Sequence, residues 1–463
     1  MIHVSKLTDT IDFTEGPITS KLIRFSAHMF LGAVFSLLYG MVDSAVLGRL
    51  VSVKALAAVG ATTTTGMLIM HFAFALTNAV SIQTSQARGA GQPDAVRRIL
   101  GSSITLSAFA GGILMLVMFP LTPLFMRLLG TPSDILEDAV LYMRITGGLY
   151  VGQLFYNLLT GVLQAIGDSS TPLFFLIFSS VLNAVLDVVF VAQFHLGVAG
   201  VAWATVISQV LSALLCMGYM FRKHPELRFT WKDMKPDGTF LCNHLHISMP
   251  MTFQGGMLAV GDLVITAVIN SFGSDAVAAF TVGWKCVQLV QITYSQLSVS
   301  MTVYTGQNYG AKKIDRIRRG VRNAVLIIGS LCLISMAAML LFGDKLMMIY
   351  LDPQTAGEGV KALLREYMNV TACFLPSLAV ILTFLAILRG MGHIRPTVTS
   401  SVLELVCKIG FSLLLPRWFG TRGLWFAMPI GWVLGLIPPV WYFYFGGWEA
   451  QLREENKDLK QNE

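Results

Sequence analysis

Asp43, Asp187 and Asp262 each lie inside a long apolar run of the chain. A carboxylate at the centre of a bilayer costs roughly 2.5–3.5 kcal/mol on insertion scales, so it persists where it faces water, pairs with another group, or handles ions and protons. In the run SSVLNAVLDVVF (179–190), Asn183 stands one helical turn before Asp187. An amide and an acid at i, i+4 share one helix face. Their oxygens suit a hard cation or the hydrogen bonds of a protonated acid, and composition does not choose between Na⁺ and H⁺. A second polar set follows in Asp262, Lys285, Glu404 and Lys408, with Gln254, Gln288, Gln291, Tyr294 and Gln296 on the same or neighbouring runs. Glu404 and Lys408 have the i, i+4 spacing of a helical salt bridge. Asp262 and Lys285 fall on adjacent runs and are expected to pair likewise. These groups either neutralise one another or line a cavity and meet substrate.

The elements that carry these residues are membrane helices. Of 463 residues, 54% are hydrophobic and 13% charged, against about 25% charged in soluble domains. A helix crosses with about 20 apolar residues. Twelve spans are predicted, near 22–47, 55–84, 97–120, 139–165, 171–194, 198–221, 246–271, 275–304, 320–343, 363–388, 396–416 and 423–446. The runs are too long and too continuously apolar for barrel strands. The fold class is therefore an all-α polytopic membrane protein with twelve transmembrane helices. The first twenty residues have no apolar core of signal-peptide type.

The net charge of +7 comes from an asymmetric distribution. Of the 33 Lys and Arg, 22 fall in the segments on one side and 9 on the other. That is the positive-inside pattern. It predicts a multi-pass protein of the cytoplasmic (inner) membrane with both termini in the cytoplasm. Basic runs such as AKKIDRIRR then set topology and contact lipid headgroups, and no nucleic-acid partner is expected. The six cysteines are scattered without a CxxC, so they read as packing residues.

The chain also repeats. SIQTSQARGAGQPDAVRR (81–98) and TVYTGQNYGAKKIDRIRR (302–319) match at seven of eighteen positions, offset by 221. YMRIT (142–146) echoes YMNVT (367–371), and LQAIGDSSTP (163–172) echoes LRGMGHIRP (388–396). Two copies of six spans share one orientation, the parallel type of transporter repeat. The expected organisation is an N-terminal six-helix lobe over 1–225, a cytoplasmic linker over 226–245, and a C-terminal six-helix lobe over 246–463. Gly89 and Gly310 are read as closing the second helix of each copy in a left-handed conformation, with Asp94 and Asp315 in the first turn of the next helix.

Several stretches resemble the multidrug and toxic compound extrusion (MATE) transporters. LLYGMVDSAVLGRL (37–50) with ALAAVG (55–60) resembles their first helix and the loop after it, and QTSQARGAG (83–91) the end of their second. NLLTGVLQAIGDSSTPLFFLIFSSVLNAVLDVVF (157–190) and LGVAGVAWATVISQ (196–209) are similar to their fourth, fifth and sixth helices. The resemblance implies two lobes around a central V-shaped cavity. It implies an efflux carrier that exchanges organic, often cationic, small molecules for H⁺ or Na⁺, working as a monomer with no cofactor beyond the coupling ion. In the DinF-like branch the cation or proton site lies in the N-terminal lobe, and its motif falls here on Asp43, Asn157, Asn183, Asp187 and Thr205. Tyr39, Gln254, Asp262, Lys285 and Gln288 are the candidate lining of the substrate cavity. One position departs from the family. His28 stands fifteen residues before Asp43, where members usually carry a proline, while Pro250 is kept in the second copy. His28 either titrates or packs as a neutral ring.

The alternative reading is a flippase for lipid-linked precursors from the same superfamily, but the spans hold two Lys and no Arg cluster suited to pyrophosphate. The chain has no P-loop, HExxH or DDxxD-like cluster, so no catalytic residues are assigned and an enzyme is not expected.

Overall fold

The computed structural model describes residues 10–348, 350–351 and 357–462. Among them there are helices and turns and no strands. The first half runs α1 (Ile18–Val46), α2 (Val53–Ala61), α3 (Thr63–Gly89), α4 (Pro93–Leu128), α5 (Leu136–Gly148), α6 (Val151–Ala165), α7 (Ser170–Val188) and α8 (Gly197–Lys223). The second runs α9 (Gly238–Asn270), α10 (Ser274–Gly310), α11 (Ile314–Met347), α12 (Glu358–Gly390), α13 (Ile394–Leu414), α14 (Pro416–Phe419), α15 (Thr421–Gly435), α16 (Ile437–Phe445) and α17 (Trp448–Asn462). Eleven helical stretches among the described residues are long and apolar enough to cross a membrane. The twelfth expected span, 139–165, is two helices, α5 and α6, with a break at Leu149–Tyr150. Gly147 and Gly148 stand just before the break, and a Cβ on Gly148 would lie 2.5 Å from the Phe119 ring. Close packing of α5 on α4 thus needs residues that are themselves poor helix formers.

The repeat appears as matched chain reversals. Gly91 after α3 has φ 69° and Lys312 after α10 has φ 56°; Gly167 after α6 has φ 97° and Gly392 after α12 has φ 82°. The left-handed residue is therefore two positions beyond Gly89 and Gly310, which remain helical as the last residues of their helices. In the second copy that place falls to a lysine, at some conformational cost. Asp94 and Asp315 do sit in the first turns of α4 and α11, where an acid meets the positive end of the helix dipole.

The chain separates into two compact units, one made of residues through Asp12 with Ala27–Met249, the other of Phe13–Ser26 with Pro250–Glu463. The boundaries differ from the expected 1–225, 226–245 and 246–463 in two places. The 226–245 stretch belongs to the first unit. Asp233 pairs with Arg97 at 3.2 Å, its carbonyl accepts from Ser102 at 3.1 Å, and Thr105 donates to the Met234 carbonyl at 2.6 Å. Gly101 leaves the room for this approach, since a Cβ there would meet the Asp233 backbone at 2.7 Å. At the other end, Phe13–Ser26 belongs to the second unit. The Phe13 N–H donates to Gln307 at 3.0 Å, and Arg316 donates to the carbonyls of Phe13 and Glu15 at 2.9 and 3.0 Å.

Within the first unit, Leu100, Leu158, Val162, Leu163, Cys216 and Met220 form the main buried cluster. A smaller one gathers Val46, Leu47, Ala55, Val191, Val198 and Val201. Within the second unit α10 packs along α12, and α13 along α15. Gly390 is buried in the α10–α12 seam, where a Cβ would lie 2.4 Å from the Thr302 carbonyl oxygen.

Candidate functional site

In the first unit, α1 presents Tyr39 and Asp43 one turn apart, α7 presents Asn183 and Asp187 likewise, and α8 adds Thr205. The two carboxyl groups are neighbours, and Tyr39 lies beside both Asp43 and Thr205. Asn183 and Asp187 are completely buried. Seven buried polar atoms here have no hydrogen-bond partner among the described residues: Tyr39 OH, Asp43 Oδ1, Asn183 Oδ1 and Nδ2, Asp187 Oδ1 and Oδ2, and Thr205 Oγ1. Buried polar atoms are almost always satisfied, and an unpaired buried carboxylate costs several kcal/mol. A cluster of oxygens from two acids, an amide and two hydroxyls is matched to one positive charge, either a proton shared between the acids or a hard cation such as Na⁺.

The backbone around the pair is also unusual. Four residues after Asp43, α1 widens into a π-helical turn, Leu47–Val51; two residues after Asp187, α7 does the same over Val189–Gln193. The Ser52 N–H reaches Leu47 and the Phe194 N–H reaches Val189, both i→i+5 bonds. Such turns concentrate at functional sites because they rotate side chains out of normal register. The two turns pack through Leu47 and Val191 into the cluster around Val46, Ala55 and Val201, which holds the acids' helices at one end.

Asn157, on α6, has its amide oxygen engaged within its own helix. Its Oδ1 accepts from Gln153 Nε2 at 2.8 Å, an i, i+4 pair on α6. Tyr39, expected in a substrate cavity, stands in the acid cluster. Tyr142 on α5 also faces both acids and was missed. The only sequence signal was its place in the YMRIT echo, which was read as a repeat and not as a site. His28 is buried, and its Nδ1 is 3.0 Å from Ser169 Oγ; α1 runs through it without interruption.

The α6–α7 turn anchors the far end of α7. Asp168, 1% exposed, accepts from Lys223 at 2.8 Å, His224 at 3.2 Å, Ser170 at 3.0 Å, and the Thr171 hydroxyl and N–H at 2.7 and 3.0 Å. Burial alone would raise its carboxyl, but the donors of His224, Lys223 and Thr171 together hold it well below the usual carboxylate range.

In the second unit the expected pairs are exchanged. Lys408 on α13 contacts Asp262 on α9, not Glu404. Lys285 lies over the Tyr350 ring, 5.6 Å from its centroid, rather than pairing with Asp262. The cause is which helices touch. Gly261 brings α9 against α13, so that a Cβ there would lie 3.4 Å from Lys408 Cδ. Gln254 is buried, donating to Ser401 and accepting from Arg389 Nη2 at 2.8 Å; its amide is spent on neighbours, and Arg389 is a polar partner the sequence reading did not name. Gln288 and Lys285 are exposed on α10.

A family model described as MatE matches residues 29–189 and 250–414. The probable multidrug resistance protein YpnP of Bacillus subtilis (strain 168) is 26% identical over 444 residues, 95% of this chain and 98% of the relative. The DNA damage-inducible protein F of Escherichia coli (strain K12) is 28% identical over 415 residues, covering 87% and 88%. A multidrug export protein MepA of Staphylococcus aureus (strain bovine RF122 / ET3-1) is 21% identical over 418 residues, covering 90% and 92%. Among solved structures, a MATE transporter in the bent conformation superposes with a TM-score of 0.88 at 22% identity, covering 96% of this chain and 99% of that one. An outward-facing multidrug resistance MATE family transporter of the MOP superfamily gives a TM-score of 0.87 at 22% identity, with the same coverage. These structural likenesses establish the fold.

Proposed function

The chain belongs to the MatE family, and on that premise we propose that it is a secondary active exporter of organic, often cationic, small molecules, driven by inward movement of H⁺ or Na⁺. The observation that carries this reading is the unpartnered oxygen cluster of Asp43, Asn183, Asp187 and Thr205 with Tyr39. The names of YpnP and MepA, which concern multidrug resistance and export, support the class of cargo.

Asp43 and Asp187 hold the coupling ion. Emptied, the pair carries negative charge that only the Tyr39 and Thr205 hydroxyls and the Asn183 amide can offset, and the unit holding it is under electrostatic stress. Loaded, the charge is cancelled and the oxygens are satisfied. Such a site has a different free energy in two access states only if its exposure or geometry differs between them, which is how ion binding biases the equilibrium. One charge crossing 100 mV releases about 2.3 kcal/mol, enough to tilt states a few kcal/mol apart. Tyr39, Tyr142 and Asn183 orient the acids. The protein then sits in the inner membrane with both termini in the cytoplasm, and works as a monomer without a resident cofactor.

The test uses purified protein in liposomes with a pH-sensitive dye inside, ethidium as cargo, and proton and sodium gradients imposed separately. Gradient-driven ethidium movement in wild type, lost in Asp43→Asn and in Asp187→Asn, is the expected result, and the gradient that works names the ion. Movement that persists in both variants would refute the assignment.

A further inference from the structure

Arg389, the last residue but one of α12, is a cation that the second unit leaves without a counter-ion. It is partly buried, and among the described residues it has no carboxylate partner and no neighbouring charge acts on it. Nη2 donates to Gln254 Oε1 at 2.8 Å, Nε is covered and has no partner, and Nη1 is left open. Gln254 is itself locked, since its Nε2 donates to Ser401 Oγ and, at 3.5 Å, to the Thr397 carbonyl. That turns Oε1 toward the guanidinium. An amide carbonyl orients a guanidinium but does not cancel its charge. The backbone is fixed as well. Thr302 Oγ1 donates to the Ala386 carbonyl at 3.1 Å, and a Cβ on Gly390 would lie 2.4 Å from the Thr302 carbonyl oxygen. The surroundings thus hold Arg389 in place, whereas buried charges are ordinarily paired. The carboxyl end of α12 supplies only about half a negative charge.

The repeat shows that the fold needs no charge at this position. In LQAIGD (163–168) and LRGMGH (388–393), Gln164 stands where Arg389 does. Both segments close a helix and reverse through a left-handed glycine, Gly167 at φ 97° and Gly392 at φ 82°. Where the first copy does bury a charge in this turn, at Asp168, it answers with Lys223 and His224. The second copy gives Arg389 no such answer, which implies an anion from outside the chain. The position narrows its source. The 389–395 segment is one of those on the Lys- and Arg-rich side, and Arg389 lies at the very end of an apolar helix. Basic groups between helices at that level meet lipid phosphates.

We propose that Arg389, aimed by Gln254, is a phosphate site among α9, α12 and α13, taken by the headgroup phosphate of an anionic phospholipid. Nη1 and the second N–H of Nη2 form the fork that two phosphate oxygens accept from, the arrangement that makes arginine the usual phosphate partner. Gln254 holds the fork still, so little side-chain freedom is lost when the lipid arrives. The bound phosphate supplies the charge that the chain omits, and ties the ends of three helices to the membrane surface. A free phosphate ester offers the same chemistry. The site lies wholly in the second unit, uses none of the coupling residues, and does not rest on the export reading.

The experiment follows thermal melting of the purified full-length chain, stripped of lipid in detergent, during titration with dioctanoyl phosphatidylglycerol, dioctanoyl phosphatidylcholine or inorganic phosphate. Phosphatidylglycerol is expected to raise the melting temperature of wild type by binding the folded state, and zwitterionic phosphatidylcholine to raise it much less. Arg389→Gln is expected to raise the half-saturating phosphatidylglycerol concentration about tenfold, the size of one lost hydrogen bond to a charged group, and Arg389→Lys to raise it less. Gln254→Glu gives the guanidinium an internal carboxylate and is expected to match Arg389→Gln, so it decides the matter if the arginine variants do not fold. Arg322→Gln removes an exposed cation of α11 and is expected to change nothing, which separates the site from the chain's general positive charge. A shift with inorganic phosphate alone, lost in Arg389→Gln, would support the phosphate site and overturn its lipid occupant. Equal phosphatidylglycerol titrations in wild type, Arg389→Gln and Gln254→Glu, or no shift with either anion, would overturn the proposal.

Discussion

Replacing Asp168 tests whether the α6–α7 turn is a stabilising anchor that ties the start of α7 to the end of α8. Asp168 is 1% exposed and gathers five donors, two of them from Lys223 and His224 at the end of α8. Truncating one partner of a buried pair costs about 3–5 kcal/mol because the other charge is left behind. The Lys223 side chain is 18% exposed and can reach water, so Asp168→Ala belongs at the lower end, about 3 kcal/mol. Loss of the acceptor for the Thr171 N–H adds about 1 kcal/mol, as for a lost helix cap. Asp168→Asn keeps an acceptor and loses the charge, costing roughly 2 kcal/mol. In a thermal melt of the detergent-solubilised protein these correspond to drops of several degrees, roughly 5–10 °C for the alanine variant. The pH dependence has a definite sign. Asp168 is depressed in the folded state, so its contribution is present above its unfolded value of about 4 and is lost as pH falls through the lower folded value. Wild type and variant melts should therefore be far apart at pH 7 and converge as the solution becomes strongly acidic. Coupling per folded molecule should stay intact in Asp168→Asn, since Asp43 and Asp187 are untouched. A melt within about 1 °C of wild type at pH 7, or a gap that does not narrow in acid, would refute the reasoning.

Other consequences are as direct. Asn183→Ala removes an amide oxygen from the acid cluster and should lower apparent coupling-ion affinity about tenfold, whereas Asn157→Ala, whose oxygen serves Gln153, should leave it within a small factor; ion titration of gradient-driven transport separates the two. Gly390→Ala forces a Cβ to 2.4 Å from the Thr302 carbonyl oxygen and should cost about 1–3 kcal/mol, read as a lower melting temperature. His28→Pro removes the contact with Ser169 and a backbone bond inside the continuous α1, and should destabilise by about 3 kcal/mol; a melt equal to wild type would mean that α1 tolerates a hinge here.

Much of the site was legible because membrane burial makes charge conspicuous. An acid in an apolar run is rare enough to stand out alone, so Asp43, Asp187 and Asp262 needed no fold to be found. The i, i+4 spacing of Asn183 and Asp187 followed from helical period. Tyr142 was not legible, because a tyrosine in a span is ordinary until its neighbours are known. The Glu404–Lys408 pair illustrates the limit of local rules. Spacing on one helix permits a salt bridge, but Gly261 lets α9 approach, and the ammonium contacts Asp262 across the seam instead.

Composition and period thus determined the helical membrane class, the number of spans, the duplication and the identity of the acids within apolar runs, all of which can be read along the chain. Only tertiary structure decided that Lys408 meets Asp262, that span 4 breaks at Leu149–Tyr150, that Phe13–Ser26 groups with the second half, and that the linker stretch around Asp233 packs into the first unit. Those outcomes depend on contacts between residues far apart in sequence. A glycine or a single carbonyl sets such a contact, and neither leaves a periodic mark in the sequence.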